Sequence, residues 1–525
     1  MSATVKAATA VTVEGVSVPA AEACTVIIFG ATGDLTRRKL MPALYSLQCF
    51  GVLNNQCEVI GTGRTPLSVE EFRARMREAV TVVQDGKVGN DARWPEFEKR
   101  LRYFAGNPND PAFYPALASE LDARREAGAS PNTLFYIATP ASLARPIIEG
   151  LGAADLARNL KGWSRIVLEK PFGRDLDSAR ELNRAVNDVF AEDAVFRIDH
   201  YLGKETVQNL LVFRFGNSMF EPVWNRNYVE YVEITAAEDL GVEHRAAFYE
   251  ETGALRDMVA NHLLQLLALT AMEPPPTLDA DAVRDEKMQV LRAIKPMTVE
   301  EMARRTVRGQ YGPGLVDGTP VPGYREERGV SKTSAVETFA AIEFHVDNWR
   351  WAGVPFYVRT GKRLGRKMTE IRIHFRRTPQ ALFASMSAEA TAEPNLITLR
   401  IQPDEGITIT FAAKQPGLEM RPLPVEAEFA YAKSFPSELP DAYATLLLDA
   451  MRGDGTLFTR RDEVEAAWRI VTPIGEAWAR LPPPRFPNYA AGSDGPAEAR
   501  ALMRGPANHA WCAIEPKAQP GSLPP

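Results

Sequence analysis

The first third of the chain alternates between short apolar runs and longer amphipathic stretches. The apolar runs are rich in β-branched and aromatic residues, which predicts buried strands. They are CTVIIFG, CEVIGTG, LRYFAG, NTLFYIAT and SRIVLEK. Between them, apolar residues recur every three or four positions, as in VEEFRARMREAV and LDSARELNRAVNDVF, which predicts helices. This alternation indicates a doubly wound, Rossmann-like α/β domain with a parallel sheet and helices on both faces.

The pattern changes after residue 199. ETVQNLLVFRFG predicts a helix, YVEYVEITAAE a strand, and LRDMVANHLLQLLALTAM a long apolar helix. Later runs such as PFYVRTG, EIRIHFRR and NLITLRIQP alternate with a period of two and mostly lack helix-length spacers, so they predict antiparallel strands. We therefore predict an α+β second domain with a large, mainly antiparallel sheet. The predicted boundaries are 1–22 for a flexible lead-in, 23–199 and 200–510 for the two domains, and 511–525 for a tail.

Composition and charge narrow the class of protein. The chain has 525 residues, 45% hydrophobic and 24% charged, which is ordinary for globular proteins. Its net charge of −6 provides no basic field for nucleic acid, and no apolar run reaches the roughly 18 residues of a membrane span. The four cysteines form no CxxC pair and no zinc-like spacing with histidine. We therefore expect a cytoplasmic protein with free thiols and with no nucleic-acid, membrane or metal partner.

A glycine-containing turn follows the first buried strand. Gly30 and Gly33 lie in GATGDL, directly before a predicted helix, where glycines let a backbone approach a pyrophosphate and helix N–H groups receive it. The pattern is GxxGDL rather than GxGxxG, so an ordinary strand–turn–helix is the alternative. The second strand ends in IGTGRT, which places Arg64 where the ribose 2′ position is usually read. An arginine there favours a 2′-phosphate and hence NADP; a solvated surface arginine is the alternative.

Two further motifs combine charged and hydrogen-bonding residues. In LEKPFGRDL, Lys170 ends a strand at the sheet edge where ligands bind in doubly wound folds, although a purely structural lysine is the simpler interpretation. RIDHYLGKE places Asp199, His200, Tyr201 and Lys204 within six residues, which suits a sugar or phosphate site better than a core. A metal site is the alternative, but one histidine and one aspartate with no second histidine nearby are weak evidence for it.

The second domain contains two more candidate segments. His262 lies among apolar neighbours in the long helix, where a buried core histidine is the alternative, and Asp257 near the helix start complements the helix dipole. VPFYVRTGKRLGRK ends a strand in a turn that contains Lys362 and Lys367. These lysines either form an anion pocket or are simply solvated.

Taken together, these segments resemble the glucose-6-phosphate dehydrogenase family. GATGDLTRRK, EKPFG, RIDHYLGKE, LRDMVANHLLQ and NWRWAGVPFYVRTGKRL occur in that family in this order and at this spacing, and the similarity extends from about Cys24 to Pro487. RIDHYLGKE is highly specific to the family. The resemblance implies an NADP-dependent enzyme that oxidises C1 of glucose 6-phosphate to 6-phosphoglucono-1,5-lactone, the first oxidative step of the pentose phosphate pathway. It also implies a homodimer or homotetramer.

The resemblance further implies a role for each matching residue. His262 is expected to be the general base, with Asp199 orienting it and stabilising its imidazolium. Lysine, histidine and tyrosine donors suit phosphate oxygens, and carboxylates suit sugar hydroxyls. The implied substrate-binding residues are Lys39, Lys170, His200, Tyr201, Lys204, Glu238, Asp257, Lys362 and Lys367. The implied cofactor-binding residues are Gly30, Ala31, Thr32, Gly33, Asp34, Leu35, Arg64 and Lys170.

Two other functions are alternatives. One is a different sugar or sugar-phosphate dehydrogenase on the same scaffold, with another anion pocket. The other is a catalytically silent NADP-sensing protein, which would need neither Asp199 nor His262, so the presence of both argues against it. The sequence leaves open the strictness of NADP over NAD, dimer against tetramer, and a second, structural NADP site, for which Arg400 alone is too little.

Overall fold

The computed structural model describes residues 10–13, 16–83, 92–378, 394–435, 440–503 and 509–514. It divides into two compact units. The first comprises Met1–Lys204, Pro276–Arg284 and Pro440–Glu465, and the second comprises Glu205–Pro275, Asp285–Leu439 and Ala466–Pro525. The first unit therefore includes two later segments that lie outside the contiguous boundaries drawn from the sequence. Among the described residues, no helix combines the length and apolar character that crossing a membrane requires.

Both units contain strands and helices, numbered separately in chain order. The strands are β1 (Ala10–Val13), β2 (Val16–Pro19), β3 (Thr25–Phe29), β4 (Glu58–Gly63), β5 (Leu101–Ala105), β6 (Thr133–Ile137), β7 (Ser164–Leu168), β8 (Val195–Ile198), β9 (Val229–Ala237), β10 (Thr306–Gly309), β11 (Tyr311–Gly312), β12 (Gly314–Val316), β13 (Thr319–Val321), β14 (Phe339–His345), β15 (Pro355–Gly361), β16 (Met368–Phe375), β17 (Leu396–Gln402), β18 (Gly406–Lys414), β19 (Pro422–Ala430), β20 (Phe458–Thr459) and β21 (Tyr489–Ala490).

The α-helices are α1 (Met41–Cys49), α2 (Val69–Val83), α3 (Trp94–Glu98), α4 (Phe113–Glu126), α5 (Ala144–Ala153), α6 (Leu176–Asn187), α7 (Glu205–Phe215), α8 (Ala246–Ala254), α9 (Leu264–Ala271), α10 (Ala280–Ala293), α11 (Val299–Arg305), α12 (Tyr431–Ser434), α13 (Ala442–Arg452), α14 (Arg461–Arg480) and α15 (Ala497–Met503). Two segments with wider, π-type turns, Thr36–Leu40 and Leu255–Leu263, run directly into α1 and α9.

The first unit is built on a seven-stranded sheet in the order β20-β8-β7-β6-β3-β4-β5. Neighbouring strands from β8 to β5 pair in parallel, and β20 pairs antiparallel to β8 at the edge. Every residue of β3 and β6 is buried, as central parallel strands require. The strand order reverses at β3, which has β4 on one side and β6 on the other. In such folds ligands bind at the carboxyl ends of the strands at this reversal.

Part of the segment expected to be a flexible lead-in is paired. β1 and β2 form an antiparallel ladder, with Ala10 opposite Pro19 and Val13 opposite Val16. Valine alternates with threonine or serine in both strands, and β-branched residues of this kind favour an extended backbone. Residues 1–9 and 14–15 of the lead-in lie outside the described part of the chain.

The second unit contains an eight-stranded sheet in the order β10-β14-β15-β9-β16-β17-β18-β19. Its described pairs are antiparallel except β15–β9, which is parallel. The helical segment Leu255–Leu263 contacts β14 and β15, and every residue of α9, into which it continues, is buried. The predicted mainly antiparallel sheet is confirmed. Residues 511–514, expected to be tail, also pack into this unit: Cys512 and Ile514 are buried, and the Cys512 N–H donates to Glu233 Oε1 at 3.1 Å.

Candidate active site

The turn after β3 is shaped by a glycine that no other residue could replace without strain. Gly30 has φ +86°, and a Cβ on it would lie 2.7 Å from the carbonyl oxygen of Ala138. The N–H groups of Gly30 and Ala31 donate to the Thr62 carbonyl at 3.0 and 3.1 Å, which ties the turn to the end of β4. The Gly33 N–H donates to Gly30 O at 2.9 Å, and the helix begins at Asp34 and Leu35. The turn thus provides the close backbone approach that a pyrophosphate needs.

Arg64 follows the last residue of β4 and lies at the same corner of the sheet. A Cβ on Gly63 would lie 3.5 Å from Thr32 Oγ1, so the threonine of the glycine turn is adjacent to the end of this strand. The Tyr103 hydroxyl donates to Thr65 O at 2.7 Å and fixes the backbone beyond Arg64. Arg64 itself is exposed, and no described residue forms a hydrogen bond or ion pair with its guanidinium. A backbone cradle that a Cβ would fill, with an exposed guanidinium beside it, fits a dinucleotide with a 2′-phosphate.

The RIDHYLGKE segment leaves β8 through two consecutive tight turns. The Leu202 N–H donates to Asp199 O at 3.0 Å and the Lys204 N–H to Tyr201 O at 3.1 Å. The buried Asp199 also accepts the Tyr201 N–H through Oδ1 at 2.9 Å. As a result, the His200 ring lies 5.0 Å from the Tyr201 ring, and Lys204 Nζ lies 5.0 Å from the centre of that ring. An imidazole, a phenol and an ammonium group are thereby gathered, and these are donors that suit phosphate oxygens.

Two predicted lysines of the first unit have described surroundings. Lys39 Nζ donates to Asp441 Oδ2 at 3.0 Å, and Asp441 caps α13 by accepting the Tyr443 N–H at 2.9 Å. Lys170 follows β7 directly, and the Lys170–Pro171 peptide bond is cis. Roles for these lysines in substrate binding stay predictions.

A carboxyl group next to Lys170 was missed by the sequence reasoning. Glu169 accepts the Tyr136 hydroxyl at 2.6 Å and also hydrogen-bonds Tyr443. Desolvation raises the pKa of Glu169 to about 7, although the tyrosine hydrogen bonds and the Lys170 charge oppose the rise. The Tyr443 ring in turn lies parallel to the His200 ring, with centroids 6.4 Å apart. Glu169 belongs to the EKPFG motif. Its contact with Tyr443 could not be predicted from the sequence, because the two residues are far apart in the chain.

In the second unit, Asp257 and His262 are positioned by a helix with an unusual start. Gly253 has φ +60°, and a Cβ on it would lie 2.3 Å from Glu337 Oε1. That carboxylate oxygen accepts the Leu255 N–H at 3.1 Å and so satisfies a donor at the beginning of the Leu255–Leu263 segment. Asp257 lies in the first turn, as predicted, and His262 near the end; both side chains are buried.

Lys362 lies just beyond β15, against a carboxylate and an aromatic ring. Its Nζ donates to Glu238 Oε2 at 2.8 Å and lies 5.1 Å from the centre of the Tyr249 ring. Burial raises the pKa of Tyr249 well above its ordinary value, and the negative charges of Asp257 and Glu238 add to the rise. The structure thus brings Lys362, Glu238 and Tyr249 together, with Asp257 close enough for its charge to act on Tyr249. Lys367 is exposed. Tyr249 was not foreseen because its contact with Lys362 joins residues far apart in the chain.

Comparison with known families shows which family this architecture represents. The glucose-6-phosphate dehydrogenase NAD-binding domain matches residues 27–209, and the C-terminal domain of the same enzyme matches residues 211–512. The chain belongs to the glucose-6-phosphate dehydrogenase family. The family and the fold class predicted from the sequence are therefore confirmed.

Individual glucose-6-phosphate dehydrogenases are similar to the chain over nearly their whole length. The glucose-6-phosphate 1-dehydrogenase of Chlamydia pneumoniae is 46% identical over 486 residues, covering 91% of this chain and 94% of the relative. That of Mycolicibacterium smegmatis is 46% identical over 481 residues, covering 91% and 96%. Among solved structures, a glucose-6-phosphate dehydrogenase in complex with its substrate glucose-6-phosphate has a TM-score of 0.85 at 35% identity, covering 94% of this chain and 99% of that chain. A Mycobacterium avium structure gives 0.78 at 37%, covering 95% and 100%.

Proposed function

We propose that this chain oxidises glucose 6-phosphate at C1 to 6-phosphoglucono-1,5-lactone with NADP as the hydride acceptor, the first oxidative step of the pentose phosphate pathway. The observation that carries the proposal is the RIDHYLGKE segment, where His200, Tyr201 and Lys204 gather in one pair of turns beside the buried Asp199. The family matches in both domains support the same reaction.

The glycine turn and Arg64 are the proposed cofactor site. Backbone N–H groups of Gly30–Leu35 receive the pyrophosphate, and the Arg64 guanidinium and Thr32 hydroxyl receive the 2′-phosphate. Lys170, which directly follows β7, is the proposed contact to the nicotinamide and the sugar. When bound, the cofactor supplies the carbon atom that accepts the hydride from sugar C1.

His262 is the proposed general base. A sugar hydroxyl does not lose its proton unaided at neutral pH, so hydride loss from C1 requires a group that takes the hydroxyl proton as charge develops. An imidazole is suited to this task because its ordinary pKa is about 6.5. Asp199 keeps the ring in the orientation that accepts the proton and stabilises the imidazolium that results.

The substrate is proposed to be held by cations at its phosphate and by carboxylates at its hydroxyl groups. His200, Tyr201 and Lys204 donate to the phosphate oxygens, together with Lys362 and Lys367. Glu238 and Asp257 accept hydrogen bonds from the sugar hydroxyls. The 2.8 Å contact between Lys362 and Glu238 presents one donor and one acceptor side by side. Lys39 is the remaining proposed contact.

A cofactor-reduction assay tests the proposal and separates it from the alternatives. The purified chain is mixed with NADP or NAD and with glucose 6-phosphate, glucose, or another hexose 6-phosphate, and reduced cofactor is followed by absorbance. We expect the highest kcat/KM with glucose 6-phosphate and NADP. A higher kcat/KM with a different sugar would favour another sugar dehydrogenase, and NADP binding without turnover would favour the sensor.

A homodimer or homotetramer is the proposed assembly, with the cytoplasm as its location. The four cysteines, all within the described residues, form no disulfide, which suits a reducing compartment. Analytical ultracentrifugation of the purified chain should give a mass two or four times that of the 58.0 kDa chain.

A further inference from the structure

Two buried cysteines of the first unit stand side by side on neighbouring strands. Cys24 directly precedes β3 and Cys57 directly precedes β4; these strands pair in parallel with Thr25 opposite Glu58. The Glu58 N–H donates to Cys24 O at 3.2 Å, so the ladder extends to the cysteines. Neighbouring strands lie about 4.7–4.9 Å apart, within the Cα separation of about 4.4–6.8 Å that a disulfide bridges. The backbone therefore already has the spacing of a cross-strand disulfide.

The side chains of the two cysteines also point to the same face of the sheet. Because side chains alternate along a strand, Cys24 shares a face with Val26 and Ile28, and Cys57 shares one with Val59. All five residues belong to one hydrophobic cluster. The Cys57 thiol donates to the Glu22 carbonyl at 3.5 Å. Because the two cysteines occupy the positions next to the Thr25–Glu58 pair and face the same side of the sheet, their sulfur atoms lie close together.

The two thiols differ in acidity and in access. The neighbouring Cys24 thiol lowers the pKa of Cys57, and the positive charge of Arg100 contributes. The neighbouring Cys57 thiol and burial raise the pKa of Cys24. Cys57 also lines an open cavity of about 590 Å³ together with Arg100 and Arg124, and Cys24 does not line that cavity. Cys57 is only 1% exposed, but it is the one of the two cysteines that lines this cavity, so a small oxidant reaches it first and Cys24 resolves the product.

We propose that Cys24 and Cys57 form a redox-active dithiol that a small peroxide converts to an intrachain disulfide. The Cys57 thiolate attacks one oxygen of hydrogen peroxide; an S–O bond forms, the O–O bond breaks, and the leaving hydroxide is protonated to water. The Cys24 sulfur then loses its proton and attacks the Cys57 sulfur, so that the S–S bond forms and the hydroxyl leaves as a second water. Two thiols are oxidised by two electrons, and the peroxide is reduced by two.

The disulfide would join the amino-terminal ends of the two strands whose carboxyl ends carry Gly30 and Arg64. With a rise of about 3.3 Å per residue, these strands place the bridge well over 10 Å from the glycine turn. We therefore expect oxidation to raise the thermal midpoint of the first unit, because a cross-link restricts the unfolded chain. We expect the NADP KM to change less than twofold.

The test counts thiols in the full-length protein before and after oxidation. Protein is treated with hydrogen peroxide and then with catalase, unfolded in urea and alkylated with N-ethylmaleimide. Its intact mass is then measured by mass spectrometry. Of four cysteines, the reduced chain should carry four adducts and the oxidised chain two, with two hydrogens lost. Digestion should link the peptides that contain Cys24 and Cys57. Four adducts after oxidation, or a bridge that includes Cys49 or Cys512, would overturn the proposal.

Variants and a dithiol probe provide independent controls. Cys24→Ser and Cys57→Ser should abolish the bridge, and the matched Cys49→Ser should retain it. Because a buried serine could prevent folding, wild-type protein is also titrated with phenylarsine oxide, which binds two adjacent thiols. We expect one equivalent to bind the folded, reduced protein and to block disulfide formation. Failure of the arsenical to bind would contradict an accessible dithiol.

Discussion

Glu169→Gln should change how the stability of the protein depends on pH. The carboxyl has an ordinary pKa of 4.5, and desolvation raises it to about 7 in the folded chain. The folded state therefore holds this proton more tightly than the unfolded state. The resulting stability is fully present below about pH 4.5 and is lost as the pH rises through about 7. Glutamine resembles the protonated acid and can still accept the Tyr136 hydroxyl, so the variant should not suffer this loss.

The size of the effect follows from the shift in proton affinity. Each tenfold change in affinity is worth about 1.4 kcal/mol, so a rise from 4.5 to about 7 corresponds to about 3 kcal/mol. Because Glu169 is only partly buried, residual solvation reduces this to about 2 kcal/mol. The stability advantage of the variant should therefore be small near pH 5 and reach about 2 kcal/mol near pH 8.

Thermal unfolding measured by calorimetry between pH 5 and 8 checks this expectation. The matched control is Glu126→Gln, at an exposed glutamate of the same unit, which should follow the wild-type curve. Infrared difference spectra between wild type and Glu169→Gln should show a protonated carboxyl band that disappears near pH 7. A stability difference that is constant from pH 5 to 8, or a carboxylate already ionised at pH 5, would refute the reasoning.

Three further predictions concern ligand binding. Arg64→Ala should raise the NADP KM about tenfold to a hundredfold, because a charge-assisted hydrogen bond contributes about 1.5–3 kcal/mol, and should leave the NAD KM nearly unchanged; equal damage with both cofactors in steady-state kinetics would contradict the 2′-phosphate role. Lys204→Ala should lower kcat/KM for glucose 6-phosphate far more than for glucose, and equal losses would indicate a role in the fold. Gly30→Ala should weaken NADP binding in a fluorescence titration, since its Cβ would lie 2.7 Å from Ala138 O. The matched Gly128→Ala, also at positive φ but with open space around its Cβ, should bind NADP normally.

The hydrophobic pattern predicted the central strands. A strand buried on both faces appears as a continuous apolar run, and a strand buried on one face appears as alternating apolar and polar residues. β8 escaped this reasoning because it has four residues and one of them is Arg197, a buried arginine that ion-pairs with Glu192 at 2.6 Å. β19 escaped for the opposite reason: it is an edge strand that is largely exposed, so no apolar face marks it. Segments 276–284 and 440–465 return to the first unit through contacts that no local pattern encodes.

The candidate site likewise contains some residues that the sequence could predict and others that it could not. The sequence alone could group Asp199, His200, Tyr201 and Lys204 because they fall within six residues. Two tight turns then bring them together in the structure. The contact of Glu169 with Tyr443 joins residues far apart in the chain, as does that of Lys362 with Tyr249. Such contacts arise from the packing of whole elements, so residue types and spacing do not reveal them.

The most direct test of the proposed chemistry is the steady-state kinetics of His262→Asn. Asparagine keeps some hydrogen bonding but removes the base, and general base catalysis is worth about 10² to 10⁴ in rate. We expect kcat for glucose 6-phosphate and NADP to fall at least a hundredfold while the substrate KM changes only severalfold, because the lost interaction belongs to the transition state. The matched His345→Asn, at a histidine paired with Glu343, should retain wild-type kcat. A His262→Asn enzyme with more than a tenth of the wild-type kcat would contradict the assignment of the base.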